Sequence, residues 1–349
     1  MSGNVTVTDV KVKNLRTVKH VGELESAWSP GRNMSFEIGG GSFTEVHTDA
    51  GITGIGPGMH PMLLDSVKEY LVGKSAFEIE QHAVAMNYYV QYLKYQGIAG
   101  VDMALWDIMG KAANLPLYKL WGGVKDKVIP YASMVILSTP EERAEMALSL
   151  REEGWQAMKI RLHHETIAED IRTIEAVRDA IGDDMTIMVD GNQAQSSGDW
   201  QPGVRWNFQR AYETAVELQD MNVYWLEEPL NRYDFDGLAE LNSRVEMPIA
   251  GGENNPGLKE FRPDMRAGRV RATPAREHGD EWDDQPSQSG GSCRTLWQAN
   301  RPASRRREYR RHRTHAPRFL VATRTVHGTA ERSTNRSLQE QIFNHGERT

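Results

Sequence analysis

From about residue 128 to residue 253 the chain alternates strand-like and helix-like segments, and this alternation restricts the fold more than any other feature. Short apolar runs, such as residues 128–136 and 155–162, are each followed by a helical stretch. Isoleucine and valine recur at helical spacing in residues 167–181, and Gly182 ends that helix. Five strands that alternate with helices through short loops predict parallel βα units. An open doubly wound sheet and a (β/α) barrel both fit this rhythm.

The N-terminal third shows a different pattern. Residues 5–56 read as strands and turns, whereas residues 62–114 read as helices. In the last of these helices the apolar residues fall on one face: Val101, Ala104, Leu105, Ile108 and Ala112. The length of 349 residues exceeds the roughly 100–200 residues usual for one domain. We therefore expect one large and one smaller domain, or two of middling size.

Three carboxylates end three successive predicted strands. Asp190 follows the run TIMV, Glu227 follows VYWL, and Glu253 follows PIAGG. A single acid after a strand is more often a helix cap or a surface residue, but three in register are hard to explain in that way. In a barrel the C-terminal strand ends converge on one mouth, so the three side chains would meet. Three hard oxygen donors, completed by water and substrate, suit Mg²⁺.

Lys159 and Arg161 lie on the strand before Asp190. They are two residues apart, so both side chains point to the same face of the strand. Unless it is compensated, a neighbouring cation lowers the pKa of a lysine and makes it a usable base near neutral pH. A metal-bound carboxylate next to a lysine is suited to the removal of a proton α to that carboxylate. We expect His163 to lie in the following loop and His164 to be solvated.

Charge and composition exclude several classes. The formal charge of −7 argues against a general nucleic-acid binder, which needs surplus cations. The single cysteine, Cys293, excludes an intrachain disulfide and a cysteine-cluster metal site. The first residues lack the apolar core of a signal peptide, and no run approaches the ~18 apolar residues of a membrane span. We expect a cytoplasmic protein with no membrane or nucleic-acid partner.

The C-terminal segment has an unusual composition. Residues 266–349 contain 17 arginines, nine acidic residues and no lysine, and seven of the arginines fall within residues 301–313. Neither the helical nor the strand period is present in 301–313. Two interpretations compete: a disordered basic tail, or the product of a shifted reading frame. Binding of this tail to nucleic acid or to anionic surfaces is the least favoured alternative.

Up to about residue 268 the chain resembles the mandelate racemase/muconate lactonizing enzyme family of the enolase superfamily. The motifs that carry the resemblance are ALWDIMGKAANLPLYKLWGG at residues 104–123, K-x-R at Lys159, VDGNQ at Asp190, WLEEP at Trp225 and GGEN at Gly251. The resemblance implies an α/β fold in which an α+β capping domain (residues 1–125) covers a modified (β/α)₇β TIM barrel, whose first five units are residues 126–268. It also implies Mg²⁺ on Asp190, Glu227 and Glu253. A capping loop at about residues 21–32, with the turn near residues 51–56 close by, would cover the substrate.

The chain departs from the family pattern in two ways. Many members have a second lysine where this chain has Arg161, so Lys159 is the matched base. The family would continue with three further barrel units, whereas residues 269–349 do not match and are expected to be irregular. One back-translation of residues 280–284, read one base later, gives Met-Asn-Gly-Met-Ile, similar to a Met-Asn-Gly-Gly-Met stretch common in the family. This favours the hypothesis of a frameshift near codon 268.

These observations predict Mg²⁺-dependent abstraction of an α-proton from a small carboxylate through an ene-diolate. Lys159 is the candidate base, and Arg161 is its electrostatic partner. Dehydration of a sugar acid (aldonate or aldarate) is the leading activity; racemisation or epimerisation, or cycloisomerisation, is the alternative. The rival of another class is a catalytically inactive product with a frameshifted C-terminus. We also expect a homo-oligomer.

Overall fold

The structure is a computed structural model, and it describes residues 5–93, 98–123, 127–196, 203–253 and 323–326. For residues 87–93 and 323–326 it describes the backbone only. Most of the Arg-rich segment, including residues 301–313, lies outside the described residues. The frameshift hypothesis therefore stays a prediction.

An α+β region comes first in the chain. Its strands form a three-stranded antiparallel sheet in the order β1-β4-β5 and a separate two-stranded ribbon, with bounds β1 Val7–Asn14, β2 Thr17–Glu25, β3 Asn33–Gly39, β4 Ser42–Thr48 and β5 Thr53–Pro57. Its helices follow a 3₁₀ turn at Pro61–Leu63, with bounds α1 Leu64–Leu71, α2 Ile79–Leu93, α3 Ala99–Ala113 and α4 Leu117–Leu120. This order confirms the strands and helices predicted for the N-terminal third.

Helix α3 packs directly on strand β5, and glycines allow the close approach. A Cβ atom at Gly54 would lie 2.0 Å from the carbonyl oxygen of Ala104, and one at Gly56 would lie 1.9 Å from that of Gly100. Side chains at these positions would overlap the helix backbone. Val101, Ala104, Leu105 and Ile108 are buried, so the predicted apolar face of α3 is the packed face.

A parallel α/β region follows. Its strands are β6 Tyr131–Met134, β7 Ala157–Arg161, β8 Thr186–Asp190, β9 Leu226–Glu227 and β10 Ile249–Ala250. The helices between them are α5 Pro140–Glu152, α6 Ile167–Ile181, α7 Phe208–Asp220 and α8 Phe235–Arg244. Each strand pairs in parallel with the next one in the chain. The five predicted strands and the four helices that alternate with them are thereby confirmed, and the helix of the fifth unit falls outside the described residues.

Two of these helices begin with the same capping motif. The Thr139 hydroxyl accepts a hydrogen bond from the backbone N–H of Glu142, and the Glu142 side chain accepts one from the N–H of Thr139. Thr166 and Glu169 do the same at the start of α6. Such reciprocal caps satisfy backbone donors that have no partner inside the helix, and they fix the residue at which each helix begins.

The two faces of the parallel sheet differ in character. One face packs against the helices and is aliphatic; it includes Met158, Ile160, Ile187, Val189, Leu226 and Ile249. The alternating residues point to the other face, which carries Tyr131, Ala157, Met188, Trp225 and Ala250. Lys159, Asp190 and Glu227 have the same strand parity as this second set. Strand alternation therefore directs the candidate functional side chains away from the helices.

A further strand corrects one expectation. Strand β11, Thr323–Val326, pairs in parallel with β6, so the sheet order is β10-β9-β8-β7-β6-β11. These four residues lie in the segment expected to be irregular, and for them that expectation is wrong. The physical reason is that β6 would otherwise leave its backbone N–H and C=O groups unpaired along one edge.

Within the described ranges no helix has both the length and the apolar content needed to cross a membrane. Helices α2, α3 and α6 have 15 residues each, whereas a span needs about 20.

Candidate active site

The strand register places three charged residues in one row. Arg161 on β7 is opposite Asp190 on β8, and Asp190 is opposite Glu227 on β9. Each of the three is the last residue of its strand. The row therefore lies at the C-terminal edge of the sheet, where the sequence predicts the site.

Lys159 joins the two carboxylates of this row. Its Nζ lies 3.0 Å from Oδ2 of Asp190 and 2.9 Å from Oε1 of Glu227. Nη1 of Arg161 donates to Oδ2 of Asp190 at 2.8 Å. Asp190 and Glu227 are fully buried, and Lys159 is nearly so. These four side chains thus lie together, whereas the predicted convergence also includes Glu253, and the chemical roles stay predictions.

Two further donors hold the carboxylates, and sequence reasoning missed them. The backbone N–H of Asn192 donates to Oδ1 of Asp190 at 2.9 Å. The indole Nε1–H of Trp225 donates to Oε2 of Glu227 at 3.2 Å. Trp225 precedes Glu227 by two residues, so strand parity was the signal that could have found it.

Aromatic rings lie against both cations. Nζ of Lys159 is 5.6 Å from the ring centre of Tyr131, and the guanidinium of Arg161 is 5.0 Å from that of Trp28. Tyr131 lies on β6, next to β7, whereas Trp28 belongs to the α+β region. Rings at these distances favour a cation over their faces, so both parts of the chain contribute to the site.

The pKa of Lys159 depends on the balance between burial, two carboxylates and one cation. Burial disfavours its charged form, but the charges of Asp190 and Glu227 outweigh burial and raise the pKa of Lys159. Arg161 lowers this pKa, as expected, yet its effect is the smaller one. The expected lowering required that the neighbouring cation be uncompensated, and that condition is not met here, because Lys159 contacts two carboxylates directly.

The pKa values of Asp190 and Glu227 shift in opposite directions. Burial raises the pKa of Asp190, but Lys159 and Arg161 more than reverse this and hold it below its usual range. Burial raises the pKa of Glu227, and the negative charges of Asp190 and Glu253 add to that rise against the pull of Lys159. Glu227 contacts one cation and Asp190 contacts two, which explains the difference.

Glu253 lies three residues beyond β10 and is half-buried. Its charge raises the pKa of both Arg161 and Glu227, so it acts on the same site. Among the described residues, however, no three His, Cys, Asp or Glu side chains are arranged to hold a metal ion. The amine of Lys159 takes the position between Asp190 and Glu227. The three-carboxylate metal site thus stays a prediction.

The donor chemistry nevertheless suits a divalent cation. Asp190 and Glu227 present hard oxygen ligands in a buried setting, and buried carboxylates need a nearby positive charge. In this structure the ammonium of Lys159 supplies that charge.

His163 and His164, which follow β7, do not belong to the cluster formed by Lys159, Asp190 and Glu227. His163 lies in the loop, as predicted; burial, together with the charges of His164 and Arg143, lowers its pKa to about 4. His164 is half-buried, so the expectation that it is solvated holds only in part. Its backbone N–H donates to Oδ1 of Asp170 at 3.1 Å, and its Nε2 lies 3.3 Å from the hydroxyl of Thr173. Asp170 lies on α6 and is buried, so these hydrogen bonds hold the loop against that helix.

The predicted capping loop is shorter than expected. Residues 21–25 belong to β2, and β3 begins at Asn33, so residues 26–32 form the connection. The backbone N–H of Ala27 donates to the carbonyl of Val135 at 2.9 Å, which docks this connection on the end of β6. Most of residues 51–56 is strand rather than turn, because β5 begins at Thr53 and packs on α3.

Comparison with known proteins agrees with this architecture. Residues 42–122 match the family described as "Mandelate racemase / muconate lactonizing enzyme, N-terminal domain". Residues 141–274 match the family described as "Enolase C-terminal domain-like". The second match extends six residues beyond the limit of 268 expected from the motifs.

Individual relatives carry several activities in their names. The chain is 36% identical to L-talarate/galactarate dehydratase of Salmonella typhimurium over 167 residues, which cover 47% of this chain and 39% of that enzyme. It is 30% identical to 3,6-anhydro-alpha-L-galactonate cycloisomerase of Streptomyces coelicolor, over 69% of this chain and 67% of that enzyme. The structure of a racemase from Streptomyces coelicolor, solved with bound magnesium, superposes on this chain with a TM-score of 0.70 at 24% sequence identity. The superposed region covers 92% of this chain and 84% of the racemase chain.

The α+β region, the parallel α/β region and the carboxylates at its strand ends define the enolase superfamily, whose solved members have this fold with a TIM barrel. Within it, the chain belongs to the mandelate racemase/muconate lactonizing enzyme family. The chain spans less than half the length of the dehydratase that it matches.

Proposed function

We propose that this site abstracts an α-proton from a carboxylate substrate with the help of Mg²⁺, and that the overall reaction is the dehydration of a sugar acid. The observation that carries the proposal is the position of Lys159, whose Nζ lies within 3.0 Å of both Asp190 and Glu227. A base and the oxygens that can hold a metal are thereby in one buried cluster, as α-proton abstraction requires.

Asp190, Glu227 and Glu253 would hold the ion. When bound, Mg²⁺ supplies a positive charge that stabilises the negative charge developing on a substrate carboxylate. Lys159 accepts the proton on Nζ, and for this it must be neutral. Its pKa is raised by the two carboxylates that it contacts, so another cation has to balance these carboxylates before Lys159 can act.

Arg161 and the aromatic rings set the surroundings of the base. Arg161 contacts Asp190 and keeps a second positive charge beside Lys159. Trp28 covers the guanidinium of Arg161 from the side of the α+β region. This arrangement limits water near Nζ and strengthens each electrostatic interaction, because the local dielectric constant is low.

The choice of dehydration over racemisation is supported by L-talarate/galactarate dehydratase, at 36% identity. Dehydration needs an acid that protonates the departing hydroxyl, whereas racemisation needs a second base on the opposite side of the substrate. Neither group is assigned among the described residues. Racemisation or epimerisation is the second candidate, since the solved racemase shares the fold.

The test incubates the full chain with Mg²⁺ and a panel of aldonates and aldarates in D₂O. A 2-keto product that is lost in Lys159→Met supports dehydration. Incorporation of deuterium at the α-carbon without a keto product, also lost in the variant, supports racemisation or epimerisation. Lys11→Met is the matched control, because Lys11 forms an exposed ion pair with Asp9 in β1. A folded chain that shows neither product nor exchange refutes the proposal and favours the inactive product.

A further inference from the structure

The side chain of Gln193, three positions beyond Asp190, is buried and uses both ends of its amide. Its Nε2 donates to the backbone carbonyl of Gly191 at 2.8 Å and to that of Val204 at 3.1 Å. Its Oε1 accepts a hydrogen bond from the backbone N–H of Trp206 at 2.9 Å. Every partner is a backbone group, so one amide ties the turn after β8 to the segment that leads into α7.

The same turn continues the hydrogen-bond ladder of the sheet beyond the ends of β8 and β9. The backbone N–H of Gly191 donates to the carbonyl of Glu227 at 2.9 Å, and that of Gln193 donates to the carbonyl of Glu228 at 2.9 Å. The N–H of Glu228 donates in turn to the carbonyl of Ala250, at the end of β10, at 2.9 Å. The turn after β8 therefore fixes where the end of β9 lies relative to the end of β8.

Two residues of these turns have a left-handed backbone. The φ angle is 50° at Asn192 and 45° at Glu228, and such values are uncommon for residues other than glycine. Each residue follows a carboxylate of the site, since Asn192 comes two positions after Asp190 and Glu228 directly follows Glu227. The backbone N–H of Asn192 also donates to Oδ1 of Asp190 at 2.9 Å. Conformations of this kind persist where the surrounding structure determines them, and the hydrogen bonds of Gln193 determine this one.

The segment that Gln193 holds also reaches the loop after β7. The ring of Trp206 packs against Gly191, because a Cβ atom there would lie 3.3 Å from Cζ3 of that ring. The guanidinium of Arg210, on α7, lies 5.3 Å from the centre of the same ring. Nη2 of Arg210 donates to the carbonyl of His164 at 2.9 Å. The loops after β7, β8 and β9 thus form one connected set, in which Gln193 contacts the second and the third.

We propose that Gln193 is a positioning residue: its three side-chain hydrogen bonds hold the turn after β8 so that Asp190 stays beside Glu227, in the arrangement that the cation site needs. The proposal rests on the proposed function, because the cation is the Mg²⁺ proposed for this site. The alternative is that Gln193 only stabilises the fold. In that case its loss lowers stability without a selective loss of metal affinity.

The experiment compares Gln193→Met with Gln219→Met in the full chain. Gln219 is the matched control, because its Oε1 also binds two backbone groups, the N–H of Glu246 at 2.7 Å and that of Met247 at 3.1 Å. These groups precede β10, at the edge of the sheet opposite to the carboxylates. Both variants should lower the midpoint of urea unfolding.

Only Gln193→Met should affect the metal. Isothermal titration with MgCl₂ should give a Kd at least about tenfold higher than in the parent, as is typical when a group that orients a ligand is lost. Gln219→Met should stay within about twofold of the parent. An unchanged affinity in Gln193→Met, or an equal loss in both variants, overturns the proposal.

A double-variant cycle in EDTA tests the same link without metal. Lys159 contacts both carboxylates, so Gln193→Met should weaken its ion pairs by displacing Asp190. The loss of stability in Gln193→Met/Lys159→Met should then be clearly smaller than the sum of the two single losses. The cycle of Gln219→Met with Lys159→Met should be additive. Additive losses for Gln193 and Lys159 overturn the proposal.

The two measurements separate this proposal from the proposed function. A parent that shows neither Mg²⁺ binding nor deuterium exchange, but in which Gln193 and Lys159 are coupled in EDTA, refutes the proposed function and supports the role of Gln193 in placing Asp190. Mg²⁺ binding and exchange that survive unchanged in Gln193→Met mean the reverse. If Gln193→Met does not fold, Gln193→Asn replaces it in both measurements, because its shorter amide cannot bridge the same backbone groups; an unchanged affinity then overturns the proposal.

Discussion

Nζ of Lys159 lies 2.9 Å from Oε1 of Glu227, although 68 positions separate the two residues in the sequence. Lys159 is on β7 and Glu227 is on β9, and β8 runs between them. Neighbouring strands are about 4.8 Å apart, so the long lysine side chain has to reach across the intervening strand. It does so over Asp190, and it contacts that carboxylate as well.

Removal of this shared cation should cost stability. Lys159→Met leaves two buried carboxylates without their common partner, and we expect the free energy of unfolding without metal to fall by about 3–5 kcal/mol. Urea unfolding measures the difference. Lys11→Met, at the exposed pair with Asp9, should cost less than about 1 kcal/mol. A loss in Lys159→Met no larger than in this control would contradict the buried ion pairs.

Magnesium should stabilise the folded chain if the carboxylates bind it. An ion that binds only the folded state raises the free energy of unfolding by about 2.7 kcal/mol at a concentration 100 times its Kd. We expect a rise in Tm with MgCl₂ that is lost in Asp190→Asn. Asp184→Asn, at an exposed acid paired with Arg151, should keep the full shift. Equal shifts in both variants would place the ion elsewhere.

The indole of Trp225 should tune metal binding through Glu227. Trp225→Phe keeps an aromatic ring against Tyr131 but removes the donor to Oε2 of Glu227. Loss of such an orienting hydrogen bond typically weakens metal affinity by about 10–100-fold, and isothermal titration with MgCl₂ measures it. Trp155→Phe is a matched control, because its Nε1 donates to the exposed Glu153. An unchanged affinity in Trp225→Phe would show that this hydrogen bond does not orient the ligand.

Asp102 in the first turn of α3 should make stability depend on pH. Burial, together with the charge of Glu80, raises the pKa of Asp102 to about 8, whereas in the unfolded chain it is about 4. Between these values the folded state holds a proton that the unfolded state releases. The contribution of Asp102 to stability is therefore fully present below about pH 4 and is lost as the pH rises through about 8.

Asp102→Asn should remove this dependence. We expect the variant to match the parent near pH 4 and to exceed its free energy of unfolding by about 1–3 kcal/mol at pH 8, where Asp102 of the parent is partly ionised and its Oδ1 has no hydrogen-bond partner among the described residues. Denaturant unfolding at several pH values checks this. Asp65→Asn, at an exposed acid in the first turn of α1, is the control. A difference that does not grow with pH would refute the raised pKa.

Much of the fold could be predicted because local patterns specify it. The stripe of Ile167, Ile174, Val177 and Ile181 defines one face of α6, and the Thr166 cap defines its start. Strand parity places Lys159 and Arg161 on one face without any knowledge of the rest of the chain. The pairing of β11 with β6 could not be predicted in this way, since nothing near Thr323 specifies a partner almost 200 residues earlier.

The site was predictable in its members but not in its electrostatics. Asp190, Glu227 and Lys159 follow from strand ends and spacing. The pKa of Lys159 does not, because Coulomb interactions depend on distances between atoms of different strands. Nor does the sequence reveal that Arg143 is buried, since burial depends on how α5 packs in the folded chain.

The amino-acid sequence by itself determined the order of the strands and helices and the face of the sheet to which each functional side chain points. It also determined that Arg161, Asp190 and Glu227 end their strands. These features follow from periodicity and motifs within local stretches of the chain. Tertiary structure alone decided that the amine of Lys159 lies between Asp190 and Glu227, that the indole of Trp225 donates to Glu227, and that Arg143 is buried. Those relationships join residues far apart in the chain, and their energies depend on burial and on distances of a few ångströms that only the packed molecule defines.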